Sequence, residues 1–267
     1  MKAAVCYEPG KPLRIEEIDI DPPHAGEVKV RLVATAICHS DIHALHGDWN
    51  GNFPVVVGHE AAGVVEEIGE NVTLTAPGDN VVVSLLRTCG HCFYCAQGLS
   101  NLCNGTFALQ TESRLHNKRG DPIYQGIRTA AFAEYVIVDQ SQIVQVQQTI
   151  PLEKAALLAC GVITGVGSVV NTGQVKPGSS VVVIGLGGVG VRYPMIEVRG
   201  LLLASTATRN SLPSDALAST AATSGASDKS PVLAQHGRTT SEPGAFKSTE
   251  NVLPRHGVLA WNPTVLL

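Results

Sequence analysis

Short runs rich in valine, isoleucine and threonine, separated by polar turns, occupy the first 150 residues. They predict strands at residues 3–7, 14–18, 28–37, 62–68 and 81–85, and two shorter ones at 135–138 and 143–146. Turns such as Glu8-Pro9-Gly10 and Ala76-Pro77-Gly78-Asp79 divide them. A helix is predicted over 40–45, with Ser40 placed to cap it. The pattern changes at Pro151, where proline is followed by the helix formers of residues 152–158. A second, small-residue helix is predicted over 164–170. Residues 181–184 form an unbroken apolar run, as in a strand buried on both faces. That run leads straight into Gly185-Leu186-Gly187-Gly188-Val189-Gly190. Strand, glycine turn and helix start are the opening of a dinucleotide-binding unit.

After Gly190 the periodicity disappears. About half of residues 191–267 are Ser, Thr, Ala, Pro or Gly, a composition that builds a core poorly. Pro194 falls inside the expected glycine-turn helix, where proline costs roughly 3 kcal/mol. A strand at 198–204 is conceivable, and nothing periodic follows it. Composition adds exclusions. A net charge of −4 and a pI near 6.1 leave no basic footprint for nucleic acid. The start MKAAVCYEPGKPLRIEE lacks the apolar run of a signal peptide, and no run of 18 apolar residues suggests a membrane span. Seven cysteines without a signal point to a reducing, cytoplasmic setting, where thiols bind metal or react.

Four of those cysteines, Cys89, Cys92, Cys95 and Cys103, are spaced C-x2-C-x2-C-x7-C. Four thiolates close a tetrahedral Zn²⁺ site with no open position, the signature of a structural zinc. A pair of disulfides and an iron–sulfur cluster are the alternatives. A second set is scattered: Cys38, His59 and Cys160. Singly, each reads as a packed core residue. Jointly they supply two thiolates and one imidazole, the Cys₂His set of a catalytic zinc with an open fourth position. Glu60, beside His59, suits an outer or transient ligand. Spacing alone does not bring these distant residues together. Cys6 is left over and reads as strand packing. Trp49 is assigned equally to a substrate pocket or to a surface loop.

Several further motifs stand in order along the chain. They are Cys38-His39-Ser40-Asp41-Ile42-His43, Gly58-His59-Glu60-Ala61-Ala62-Gly63, Gly78-Asp79, the cysteine lobe, Phe132-Ala133-Glu134-Tyr135, Cys160-Gly161-Val162-Ile163-Thr164-Gly165 and the glycine turn. With these motifs the chain resembles the zinc-dependent medium-chain alcohol dehydrogenases over residues 1–190. Ser113-Arg114, Pro122-Ile123-Tyr124 and Asn171-Thr172 further resemble the animal-type, glutathione-dependent formaldehyde dehydrogenase branch. The resemblance implies an α/β fold with a β-rich part. A GroES-like zinc catalytic domain would span 1–150, with its structural zinc lobe at 89–103. An incomplete Rossmann-type cofactor domain would start at 151–190.

The resemblance also implies roles. Cys38, His59 and Cys160 would hold a catalytic Zn²⁺ and the cysteine lobe a second one. Ser40 would be the relay hydroxyl and His43 the outer base, a task suited to a side chain that titrates near neutrality. His39 would meet the cofactor pyrophosphate, and Thr164 and Val189 would pack on the nicotinamide. Gly185, Gly187, Gly188 and Gly190 would form the turn beneath the pyrophosphate. The implied cofactor is NAD, with NADP less favoured, and the partner a small alcohol or aldehyde. Such proteins are commonly homo-oligomers, with a dimer surface that falls in the cofactor domain.

One departure qualifies the resemblance. The acidic residue expected about 20 positions past the glycine turn is replaced by Thr208-Arg209-Asn210-Ser211, and Asp215 lies outside any strand pattern. Residues 191–267 are therefore expected to be an aberrant, disordered tail, as a frameshift or truncation of the family pattern after residue 190 would produce. Three functions compete: an NAD-dependent zinc oxidoreductase, an S-(hydroxymethyl)glutathione dehydrogenase, and a non-catalytic zinc-binding GroES-like fragment.

Overall fold

A computed structural model describes residues 1–177, 179, 181–184, 188–190, 201–204 and 258–260. The chain divides into two compact units, residues 1–161 with 256–267, and residues 162–255. The strands are β1 (Lys2–Val5), β2 (Arg14–Glu17), β3 (Asp19–Ile20), β4 (Glu27–Ala36), β5 (Val55–Val56), β6 (Glu60–Ile68), β7 (Asn80–Val83), β8 (Leu115–His116), β9 (Pro122–Gln125), β10 (Tyr135–Asp139), β11 (Ile143–Gln145), β12 (Val181–Ile184), β13 (Leu201–Ala204) and β14 (Val258–Ala260). The α-helices are α1 (His39–His46), α2 (Phe93–Ala96), α3 (Leu152–Ala155) and α4 (Gly161–Gly167).

The first unit is built on an antiparallel sheet in the order β10–β4–β6–β7–β11, with β14 pairing the end of β4. β4 alternates as a half-buried strand should. Val28, Val30 and Leu32 are buried, and Lys29 and Arg31 lie on the other face. With Ala61, Val65, Val81, Val83, Val136 and Val138 they form one core layer. On the opposite face Ala34, Ala62 and Val82 meet Ala155, Ala156 and Ala159. Small residues on both sides let α3 and the 3₁₀ turn Ala156–Ala159 lie close against the sheet. A third cluster, with Val5, Cys6, Ile18, Leu115 and Ile123, packs under the small sheets β1–β2 and β3–β8–β9–β5. Cys6 is wholly buried there, and burial raises its thiol pKa.

The seven strands predicted up to residue 146 are present, with ends within two residues of expectation. β3, β5, β8 and β9 are too short to show alternation and escape sequence reading. The helix predicted over 40–45 runs from His39 to His46, and its cap is Cys38 rather than Ser40. Asp41 causes the difference, because its carboxylate accepts the Cys38 amide at 2.9 Å and closes a capping box two residues earlier. The helix predicted over 164–170 is α4, which passes into a π-turn at Ser168–Thr172. In the second unit β12 pairs in parallel with β13, from Val181 opposite Leu201 to Ile184 opposite Ala204. The strand considered at 198–204 is thus seen as β13, residues 198–200 lying outside the described ones. Gly185 and Gly187, and the expected tail apart from β13 and β14, also lie outside the described residues. Among those described, no single helix is long and apolar enough to cross a membrane.

One ion pair fixes the start of β4. Arg114 donates Nε to Glu27 at 3.0 Å and a terminal nitrogen at 2.7 Å, both residues being buried. Charge-assisted, two-point hydrogen bonds offset the desolvation of each group only while both partners remain. Glu27→Gln is expected to cost about 3 kcal/mol in urea unfolding. The double variant Glu27→Gln with Arg114→Met should recover much of that loss, because no buried charge is then stranded.

Candidate metal centres

The register of the sheet assembles the first centre. Ala36, the last residue of β4, pairs with Glu60, the first of β6. Cys38 follows that strand by two residues and His59 precedes the other by one. Both therefore meet at the same end of the sheet. Cys160 arrives from the far side of the sequence, immediately after the turn that packs on the sheet through Ala155, Ala156 and Ala159. The ligand atoms of Cys38, His59, Glu60 and Cys160 all lie within 4.8 Å of one another. Residues 122 positions apart in sequence are thus neighbours because a ladder and an alanine contact place them so.

Asp41, which sequence reading did not single out, organises this cluster. It has no solvent exposure and accepts from Cys38 N (2.9 Å), Gly58 N (3.0 Å) and His59 Nδ1 (3.0 Å). The last contact orients the imidazole and leaves Nε2 for the cluster. Nε2 is buried and makes no hydrogen bond. Burial alone would lower the His59 pKa, but the Asp41 carboxylate and then the Cys38 sulfur raise it to about 10. The Cys38 thiol is held far below its usual range, first by Cys160, then by His59 and the Ser40 amide, against the effect of burial. Glu60 is raised to about 7, chiefly by burial and then by Cys38. Half-buried sulfurs of Cys38 and Cys160 beside a buried nitrogen with no hydrogen-bond partner make an environment that suits a cation. The soft S₂N donor set fits Zn²⁺, with Glu60 as a further oxygen. The only sequence clue to Asp41 was its place three residues after Cys38, where an acid closes a cap.

Gly58 is needed where it stands. Its φ is +102°, and a Cβ there would lie 2.7 Å from the Phe132 amide nitrogen. Ser40 is half-buried in the first turn of α1. His43, one turn on, accepts or donates through Nδ1 to Asp48 at 2.6 Å, with its side chain 46 % exposed. Its ring stacks near Trp49 at 6.0 Å and meets the exposed His39 edge-on at 4.9 Å. Trp49 lines a cleft of about 320 Å³ together with Phe53, Leu109, Glu112, Tyr124 and Ile127. In the second unit Thr164 is half-buried and its carbonyl accepts from Ser168, while Val189 is half-buried and Gly190 buried. Gly188 is half-buried as well.

The second centre is the cysteine lobe. Cys89, Cys92, Cys95 and Cys103 bring four sulfurs within 4.8 Å of one another. Backbone amides point at them: Cys89 N and Gly105 N at Cys103, at 3.3 and 3.4 Å, and Cys92 N at Cys89, at 3.3 Å. Such donors favour thiolate over thiol. The amides of Cys95 and Asn104, and then the Cys95 and Cys89 sulfurs, lower the Cys92 pKa to about 6. A Cβ at Gly105 would lie 2.7 Å from the Cys89 sulfur, so only glycine permits the closure. Gly105 and Thr88, whose hydroxyl lies 3.2 Å from the Cys95 sulfur, were not visible as site residues in the sequence. Four convergent thiols suit Zn²⁺.

Comparison with known proteins agrees with this architecture. Residues 24–148 match the alcohol dehydrogenase GroES-like domain. The chain is 44 % identical over 199 residues to the class-3 alcohol dehydrogenase of Pisum sativum, covering 71 % of this chain and 52 % of that protein. The chain therefore spans about half the length of this curated relative. Among solved structures, an alcohol dehydrogenase zinc-binding domain protein from Burkholderia ambifaria is 34 % identical with a TM-score of 0.70, over 76 % of this chain and 58 % of that one. Benzyl alcohol dehydrogenase from Acinetobacter calcoaceticus is 30 % identical with a TM-score of 0.66, over 76 % and 57 %. Residues 24–148 are thus an alcohol dehydrogenase GroES-like domain, the part of the chain that carries both cysteine-based clusters apart from Cys160.

Proposed function

We propose that the chain is a zinc-dependent oxidoreductase that moves a hydride between an alcohol and NAD, with one Zn²⁺ at each cysteine-based centre. The observation that carries this reading is the buried, unpartnered His59 Nε2 beside Cys38 and Cys160, with its ring fixed by Asp41. Bound there, Zn²⁺ would supply a Lewis acid that eases loss of an alcohol proton, and NAD would supply the hydride acceptor. The remaining tasks fall to side chains. Asp41 keeps the imidazole in the ligating tautomer. The Ser40 hydroxyl takes up the alcohol proton, and His43, half-exposed and steadied by Asp48, passes it to solvent. Residues 151–190 open a Rossmann-type cofactor domain in this reading. The parallel β12–β13 pair supports it, with Gly185, Gly187, Gly188 and Gly190 in the connection, Thr164 and Val189 toward the nicotinamide and His39 toward the pyrophosphate. The four-cysteine lobe is structural, because its closed ligand set leaves no position for substrate.

Turnover of the glutathione adduct of formaldehyde is a second reading, favoured by the likeness to a class-3 enzyme. Such an adduct carries two carboxylates. Among the described residues lining the cleft there is a glutamate, Glu112, and neither lysine nor arginine. With this cleft taken as the substrate entrance, on the ground that its Trp49 stacks on His43, the charge balance favours neutral alcohols instead.

Four measurements test these assignments. Metal analysis should give two Zn²⁺ per chain, falling to one in both Cys38→Ser and Cys95→Ser. NADH formation at 340 nm should be lost in Cys38→Ser. If wild type holds both metals yet oxidises no alcohol in a broad panel, the chain is a non-catalytic zinc module. Benzyl alcohol should be turned over with a kcat/KM about tenfold above that of 4-carboxybenzyl alcohol, a gap of about 1.4 kcal/mol. Preference for the glutathione adduct would reverse that assignment. Asp41→Asn should weaken the Cys38 centre for Zn²⁺ by about 10- to 100-fold without emptying the cysteine lobe.

A further inference from the structure

Arg87 poses a problem that neither centre explains. It is 4 % exposed, and among the described residues it has no carboxylate partner. Burying a guanidinium without an acid is costly. Two of its nitrogens go to neutral acceptors, the third has no hydrogen-bond partner, and the guanidinium lies 5.5 Å from the Phe107 ring centre. Nε donates to Gln142 Oε1 at 2.7 Å, and a terminal nitrogen donates to the Arg128 carbonyl at 3.0 Å. The wholly buried Gln142 returns its own amide to Ser84 O at 2.8 Å and to the same Arg128 carbonyl at 3.1 Å. Arg87 and Gln142 thus clamp one carbonyl between them.

Each end of this clamp leads to a metal centre. The residue after Arg87 is Thr88, whose hydroxyl meets the Cys95 sulfur, and Cys89 follows it. The residue after Arg128 is Thr129, which has no solvent exposure and donates its hydroxyl to the Gly58 carbonyl at 2.8 Å. Gly58 in turn donates its amide to Asp41 and precedes His59. A third branch runs through Ser84, whose hydroxyl lies 3.5 Å from the carbonyl of Ala159, the neighbour of Cys160. Segments carrying ligands of both clusters are thus linked to one buried pair, directly at Arg87–Cys89 and through the Thr129 and Ser84 hydroxyls for His59 and Cys160. The Arg128 segment also needs support, since Ile127, Arg128 and Ala130 all hold positive φ, a conformation that non-glycine residues avoid.

We propose that Arg87 and Gln142 are positioning residues that couple the two centres, so that metal in the cysteine lobe strengthens metal binding at Cys38, His59 and Cys160. The inference rests on the reading of both clusters as metal sites. Coupling of this kind is reciprocal, so the lobe gains equally when the first centre is filled.

Co²⁺ titration of the full chain, followed through the thiolate-to-metal and d–d absorption, reads each centre without catalysis. Emptying the lobe by Cys95→Ser should weaken Co²⁺ at the Cys38 centre by about tenfold. Arg87→Met, with its lobe filled, should show a similar loss, and adding Cys95→Ser to it should cause little more. Arg87→Lys should recover part of the affinity. Thr129→Val, which keeps shape and removes only the hydroxyl, should weaken the Cys38 centre while the lobe is filled, lower lobe affinity by the same factor while that centre is filled, and leave lobe affinity near wild type while it is empty. It keeps the proposal testable if Arg87→Met does not fold. Losses that multiply in the Arg87→Met, Cys95→Ser chain, or an unchanged Thr129→Val, would overturn the coupling. Failure of wild type to bind Co²⁺ at one cluster would instead overturn the two-metal reading beneath it.

Discussion

Asp41 accepts hydrogen bonds from Cys38 N, Gly58 N and His59 Nδ1, and no part of it reaches solvent. A buried carboxylate is tolerable only when its oxygens are satisfied in this way. Its three donors come from two segments, the start of α1 and the turn before β6. The carboxylate therefore does two jobs at once. It caps the helix that carries Ser40 and His43, and it sets the imidazole whose other nitrogen faces the cluster. The position of the candidate proton path and the tautomer of the candidate ligand follow from the same group.

The sheet makes this arrangement possible. β4 and β6 pair so that the end of one meets the start of the other, and the cluster sits just beyond that junction. Cys160 depends on a different force, the close packing of Ala155, Ala156 and Ala159 on Ala34, Ala62 and Val82. Larger side chains on either face would lift the turn away and carry Cys160 with it. The cysteine lobe needs little of this. Its four sulfurs come from one fifteen-residue run, and its local requirements are backbone amides aimed at sulfur and the absence of a side chain at Gly105.

Legibility in the sequence follows this distinction between local and distant causes. The long strands were readable because half-buried strands alternate, and β4 does so from Val28 to Ala34 before its last three residues are all buried. β3, β5, β8 and β9 have two to four residues each and hold their places through pairing with neighbours, so no local pattern announces them. The helix boundary moved from Ser40 to Cys38 because a carboxylate cap at Asp41 outcompeted the hydroxyl expected there. Ser113 and Arg114 drew notice only through resemblance, and Arg114 proves to be half of a buried ion pair with Glu27.

Spacing alone defined the four-sulfur lobe, since two-residue gaps can only converge when the chain turns on itself. It also supplied the residue types of the second cluster and the apolar strand at 181–184, whereas the parallel pairing of that strand with β13 came from the fold. Folding was needed to unite Cys38, His59, Glu60 and Cys160, to reveal Asp41 as the group behind His59, and to expose the Arg87–Gln142 clamp. The physical reason is range. Ligand convergence within fifteen residues is a property of local backbone geometry, whereas convergence across 122 residues requires a sheet register and a packed alanine face, and neither is written in any short stretch of chain.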